Sequence, residues 1–155
     1  MSVARLPPVF PTPPHMEHPS GLRVWLVRPL GVVTQLSRPV NADMDMARFL
    51  ADEMNTKLWM LREHAGEKAV FVHDWGNLGH YSTEVRKYLT DWGIRIRRDI
   101  AALVVVLSPD TSALARMGIS VAATALGLAG ISLSLETDVQ AVVRKRGLRP
   151  FDSSV

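Results

Sequence analysis

The run Ala101-Ala102-Leu103-Val104-Val105-Val106-Leu107 constrains this chain more than any other segment. An unbroken apolar run rich in β-branched residues suits a strand covered on both faces, because a solvated face would put polar residues at alternate positions. A sheet containing such a strand needs packing material above and below it. The flanking sequence supplies helical patterns for that purpose.

Asn41 or Asp43 can cap a helix running to about His64, with Ala47, Leu50, Met54, Leu58 and Leu61 on one stripe. Lys68 to His73 reads as a strand, and Leu78 to Arg98 as a helix with the stripe Tyr81, Val85, Tyr88, Leu89, Trp92 and Ile96. After the valine run, Ser108-Pro109-Asp110 opens a third helix that reaches about Leu128. Ile131 to Leu135 alternates with period two as a strand, and Thr137 or Asp138 caps a last helix that Gly147 and Pro150 stop. Ahead of all these, Arg23 to Arg28 and Val32 to Leu36 flank Pro29-Leu30-Gly31 and read as a hairpin. Strands separated by helices require crossover connections. The fold class is therefore α/β, a mostly parallel central sheet with an N-terminal β-hairpin and helices packed against it.

Six of the ten prolines stand at positions 7, 8, 11, 13, 14 and 19. Residues 1–20 are accordingly expected to form an extended or disordered proline-rich leader, 21–147 the α/β domain, and 148–155 a flexible C-terminal tail. The leader lacks the apolar run of a secretory signal, which makes a cytoplasmic location the default. Met117 to Leu135 carries no charge, but its glycines and its closing alternation read as a buried helix followed by a buried strand. Stable membrane insertion is not expected.

Composition removes further classes. With no cysteine there is no thiol nucleophile and no thiolate metal site. The 18 basic and 15 acidic residues leave a net charge of +3. The basic residues gather at Arg95, Arg97 and Arg98, and again at Arg144, Lys145, Arg146 and Arg149, without interleaved aromatic residues for base stacking. They read as solvated helix ends, so no nucleic-acid partner is expected. No phosphate loop, dinucleotide loop or nucleophile elbow is present, and no cofactor is predicted.

Several segments taken together, namely the strand KAVFVHDW, the pattern Tyr81-x4-Arg86-x2-Leu89-x2-Trp92, the strand IAALVVVLS and the ending ISLSLETDVQAVV, resemble the STAS domain. The resemblance is to its SpoIIAA-like family and covers roughly residues 22–146. It implies a non-enzymatic cytoplasmic module that binds a protein partner, a nucleotide or an apolar ligand. Anti-sigma-factor antagonists of the wider family carry Asp-Ser/Thr-Ser-Gly after the third strand. The matching stretch here, His73 to Ser82, lacks that tetrapeptide, and Ser82 is a poor stand-in for its serine.

That same stretch is the densest polar cluster in the chain. Asp74 leaves the C-terminal end of a central strand, where open α/β sheets place ligands. Asp74, Trp75, Asn77, His80, Tyr81 and Ser82 are the candidate partner- or ligand-binding residues, with Trp75 expected in an exposed loop. His73 and Asp74 are adjacent on an extended strand and point to opposite faces, which argues against a shared metal or a catalytic pair. No catalytic or metal-binding residue is assigned. The expected role is a regulatory or scaffold module that binds a protein through this loop and the following helix, and the alternative is a carrier or sensor of a small apolar or anionic ligand. Residues 112–128 read as apolar or small on every side after Arg116, the pattern of a helix covered by a second subunit, so a homodimer is expected there.

Overall fold

The computed structural model describes residues 6–152. Its sheet is built from β1 (Met16–Glu17), β2 (Leu22–Arg28), β3 (Gly31–Leu36), β5 (Ala69–Asp74), β7 (Ile100–Val106), β8 (Leu133–Glu136) and β9 (Arg149–Pro150). The strands run in the order β1-β2-β3-β5-β7-β8, and β9 also pairs with β2. β2 and β3 form an antiparallel hairpin, whereas β3-β5, β5-β7 and β7-β8 are parallel. A separate ribbon pairs β4 (Val40–Ala42) with β6 (Leu78–Tyr81) in parallel.

Three parallel steps in one direction, with crossovers of the same hand, put their helices on one face of the sheet. Those helices are α1 and α2 (Met44–Arg48 and Asn55–Met60, joined through a wide π-helical turn at Phe49–Met54), α3 (Thr83–Arg95) and α4 (Ala113–Leu128). Their buried residues Leu50, Leu58, Val85 and Ile119 share one core with Val24 and Val32 of the hairpin and Phe71 of β5. The wide turn has a packing reason. Met46, Leu50, Met54 and Leu58 recur every four residues and all are buried. An ideal helix would rotate such a row by about 40° per step, and a wider turn takes up part of that drift.

The opposite face is covered by two pieces. After β8 the chain must return from one edge of the sheet to the other to place β9 against β2, and α5 (Val139–Arg146) makes that crossing. Val142 and Val143 of α5 meet Val104, Val106 and Val72. The remainder is covered by the proline-rich segment, whose Val9 and Phe10 are buried against Trp25, Val27 and Val33. The valine run thus does have both faces covered.

The structure corrects several expectations. Residues 6–20 are a docked strap rather than a disordered leader: Phe10 meets the Trp25 ring edge-on at 5.7 Å, and the Trp25 indole donates to the Thr12 carbonyl at 3.0 Å. Prolines stiffen this strap, and the hydrogen bonds it needs come from the sheet and α5. Likewise 148–152 is no loose tail, since Leu148 is buried, β9 pairs with β2, and the Phe151 amide donates to the Leu26 carbonyl. Residues 1–5 and 153–155 of the two expected end segments lie outside the described residues. The helix expected from Leu78 begins instead at Thr83, because Leu78–Tyr81 pairs with β4 as a strand. One glycine is dictated by close approach: a Cβ on Gly31 would lie 2.3 Å from the Val70 carbonyl oxygen. Among the described residues no helix is long and apolar enough to cross a membrane.

Candidate functional site

The residues singled out after the strand at 69–74 do not form one exposed surface. Strand parity divides them. Asp74 points toward the strap, where its carboxylate accepts from Gln35 Nε2 at 3.4 Å. Gln35 Nε2 also donates to the Pro7 carbonyl, and its Oε1 accepts from Arg23, which in turn donates to the Leu6 carbonyl. Burial raises the Asp74 pKa, and hydrogen bonds from the Gly76 amide and Gln35 oppose that rise. Asp74 therefore fastens the strap and the following turn.

His73 and Trp75 lie on the other face. The Thr34 hydroxyl accepts from the Trp75 indole N–H at 3.2 Å and lies 2.7 Å from His73 Nδ1. The arrangement that satisfies all three groups has Thr34 donating to Nδ1, which leaves the proton of a neutral imidazole on Nε2. Burial lowers the His73 pKa to about 4, which keeps the ring neutral at physiological pH. Trp75, expected in an exposed loop, is buried.

The remaining candidates are mostly structural. Asn77 donates to the Leu36 carbonyl at 3.0 Å, and Ser82 caps α3 by accepting from the Val85 amide. Thr111 and Ser112, at the start of α4, donate to the carbonyls of Gly76 and Gly79. His80 is exposed on β6. Tyr81 is buried with its ring on α4, where a Cβ on Gly118 would lie 2.7 Å from Tyr81 Cε1.

What the structure brings together is a cavity of about 80 Å³ between the sheet and the α3–α4 pair. Phe71, Leu103, Trp92, Ile119 and Leu126 make its walls apolar, and His73, Trp75, Tyr81 and Arg86 also line it. The Trp92 indole N–H is buried and has no hydrogen-bond partner among the described residues. Such an orphan donor costs about 1–3 kcal/mol. Burial pushes the Tyr81 hydroxyl up to about 12, against a smaller opposing pull from the Arg86 guanidinium. The stripe on the helix at 83–95 is legible in the sequence, but the cavity is not. Its lining joins residues of two helices, Gly93 and Ala122 among them, that come together only after packing.

One further constellation escapes the sequence reading. His18 Nδ1 lies 2.7 Å from Ser20 Oγ, and His18 Nε2 lies 2.7 Å from Asp45 Oδ2. Serine, histidine and carboxylate line up as in nucleophilic hydrolases, but the neighbouring amides are already used. Ser20 N–H donates to His18 Nδ1, and Gly21 N–H to the His18 carbonyl, so neither can stabilise an oxyanion. The set ties the strap to α1. Among the described residues no group of three or more His, Asp and Glu side chains is placed to hold a metal ion.

Comparison with known proteins returns no match to this chain: no family model, no curated protein and no solved structure is significantly similar to it.

Proposed function

We propose that this protein is a non-catalytic sensor or carrier of a small apolar molecule, held between the sheet and the α3–α4 pair. The observation that carries this reading is the apolar cavity walled by Phe71, Leu103, Trp92, Ile119 and Leu126. Packed interiors leave few voids of this size, and those that persist in apolar surroundings take up apolar guests. The STAS, SpoIIAA-like reading of the fold draws support from the antiparallel hairpin leading into three parallel steps. The non-catalytic reading draws support from His73 and Asp74 lying on opposite faces, where they cannot act as a pair.

Native mass spectrometry of protein purified from its own host tests the reading, together with quenching of Trp75 and Trp92 fluorescence by small apolar compounds. A retained small molecule and saturable quenching are expected, both lost in Ala122→Leu, which fills the cavity. Bare chains together with no saturable response would overturn it.

A second reading, the protein-partner module, keeps one favourable observation. Leu114, Met117, Val121 and Leu128 form an exposed apolar stripe along α4, with Leu128 88% exposed. A homodimer through residues 112–128 would cover it. The loop at 73–82 contributes less to such a surface, because Asp74, Trp75 and Tyr81 are buried.

A further inference from the structure

We infer that the ligand of the α3–α4 cavity is a small apolar carboxylate, its body against Phe71, Trp92 and Leu126 and its carboxylate on Arg86 and the Tyr81 hydroxyl. This rests on the apolar-ligand reading above and adds the chemical class.

What the cavity offers in hydrogen bonds is almost entirely donors. Trp92 contributes its ring to the wall, while its unpartnered indole N–H is fully buried. His73 accepts at Nδ1 from Thr34, so what its ring presents to the cavity is the Nε2 proton. Arg86 lines the same space, is half-buried, and has no ion-pair or hydrogen-bond partner among the described residues. A guanidinium donates and never accepts. The Tyr81 hydroxyl is also without a protein partner among the described residues, and burial holds it protonated, so it too stands as a donor. Thr90, which can donate or accept, is the exception.

No aspartate or glutamate lines the cavity. A cationic guest would therefore meet Arg86 with nothing to offset the repulsion. A purely hydrocarbon guest would leave the donors unmatched and the Arg86 charge half-desolvated, which is costly. A guest with an apolar body and acceptor oxygens of negative charge suits both the apolar walls and Arg86. Carboxylate suits the place best: its two oxygens match the planar fork of one guanidinium, and a neighbouring phenol adds a further charge-assisted bond. Tyr81 reaches the site because Gly118 has no side chain to displace its ring.

The test is a titration of the full chain with three matched sets, followed by tryptophan fluorescence and thermal shift. The sets are phenylacetate, hexanoate and octanoate, each beside its primary amide and its amine. At least one acid is expected to bind about tenfold tighter than its amide, with the amine weaker still. Arg86→Gln should remove the preference of acid over amide while leaving amide binding in place, and Tyr81→Phe should reduce it several-fold. Arg86 is half-buried, so circular dichroism of R86Q should match the parent and separate lost recognition from lost folding. Amides or amines that bind as tightly as the acids, or an acid preference unchanged in R86Q, would overturn the carboxylate inference and leave the apolar-ligand reading standing. If none of the nine compounds shifts either signal, both fail.

Discussion

His15 offers a sharp test of whether the strap belongs to the fold. Its Nδ1 accepts from the Leu26 backbone N–H at 3.0 Å, and its Nε2 donates to the Phe151 carbonyl at 3.0 Å. Leu26 is 1% exposed, so in His15→Ala its amide loses its acceptor at a place water reaches poorly. Leaving a buried donor unmatched costs about 1–3 kcal/mol, and the bond to Phe151 adds about 0.5–1.5 kcal/mol. The expected loss is therefore about 2–4 kcal/mol, a large share of the stability of a domain this size. His15→Asn, whose side-chain oxygen can stand near the position of Nδ1, should recover part of it. Urea unfolding followed by tryptophan fluorescence measures the loss, and amide hydrogen exchange at Leu26 locates it. A loss below about 0.5 kcal/mol with unchanged Leu26 protection would refute the reasoning, and with it the claim that residues 6–20 are integral.

Other outcomes follow from the same geometry. The His73 pKa lies at about 4 in the fold against 6.5 when unfolded, so between those values the unfolded chain binds more protons and stability rises with pH. About 3 kcal/mol should be lost on going from pH 7 to pH 4 through this group, and subtracting the profile of His73→Leu isolates it; an identical profile in the variant would contradict the assignment. Asp74 has the opposite sign, since its raised pKa means that ionisation disfavours the fold. Asp74→Asn should be as stable as the parent or more stable at pH 7, with the advantage fading as the pH falls and the parent carboxyl protonates; a large loss in urea unfolding at pH 7 would count against that sign. Gly31→Ala should prevent β3 and β5 from closing, because its Cβ would lie 2.3 Å from a backbone oxygen that cannot rotate away, and loss of the cooperative melting transition would show it. Met117→Glu on the exposed stripe should leave the melting temperature unchanged, and it should dissociate any dimer seen by light scattering.

Legibility in the sequence follows the range of the interactions. The valine run at 101–107 announces a doubly covered strand because both alternating sets of side chains, Leu103 with Val105 and Val104 with Val106, are apolar. Parity likewise separates His73 from Asp74 with no structure in hand. Caps are readable in part: Asp43 and Asp138, each one of two candidates, accept from amides in the first turn they precede, whereas Ser82 caps a helix that the sequence places from Leu78. The strap escapes such reading because proline reports only that regular hydrogen bonding stops. Val9 and Phe10 find their partners on the far side of the sheet, and no local pattern encodes that. The strand at 78–81 is hidden for the same reason, since its mate is the three-residue strand at 40–42. The donor-lined cavity depends on how α3 lies over α4, which no local pattern encodes.

The clasp at β2 also sets an order of events. His15 and Phe151, 136 positions apart in sequence, meet on the same strand, whereas β3, β5, β7 and β8 are joined by successive crossovers between neighbours. The cost of closing a loop grows with its length, so the crossovers can assemble first and the clasp closes on a sheet already built. In the reverse direction the two end segments are the pieces best placed to peel away first, baring Trp25, Val27 and Val33 while the parallel core stays intact. Proteolysis under native conditions should therefore begin within the strap, and the fragment left behind would carry an exposed apolar sheet face.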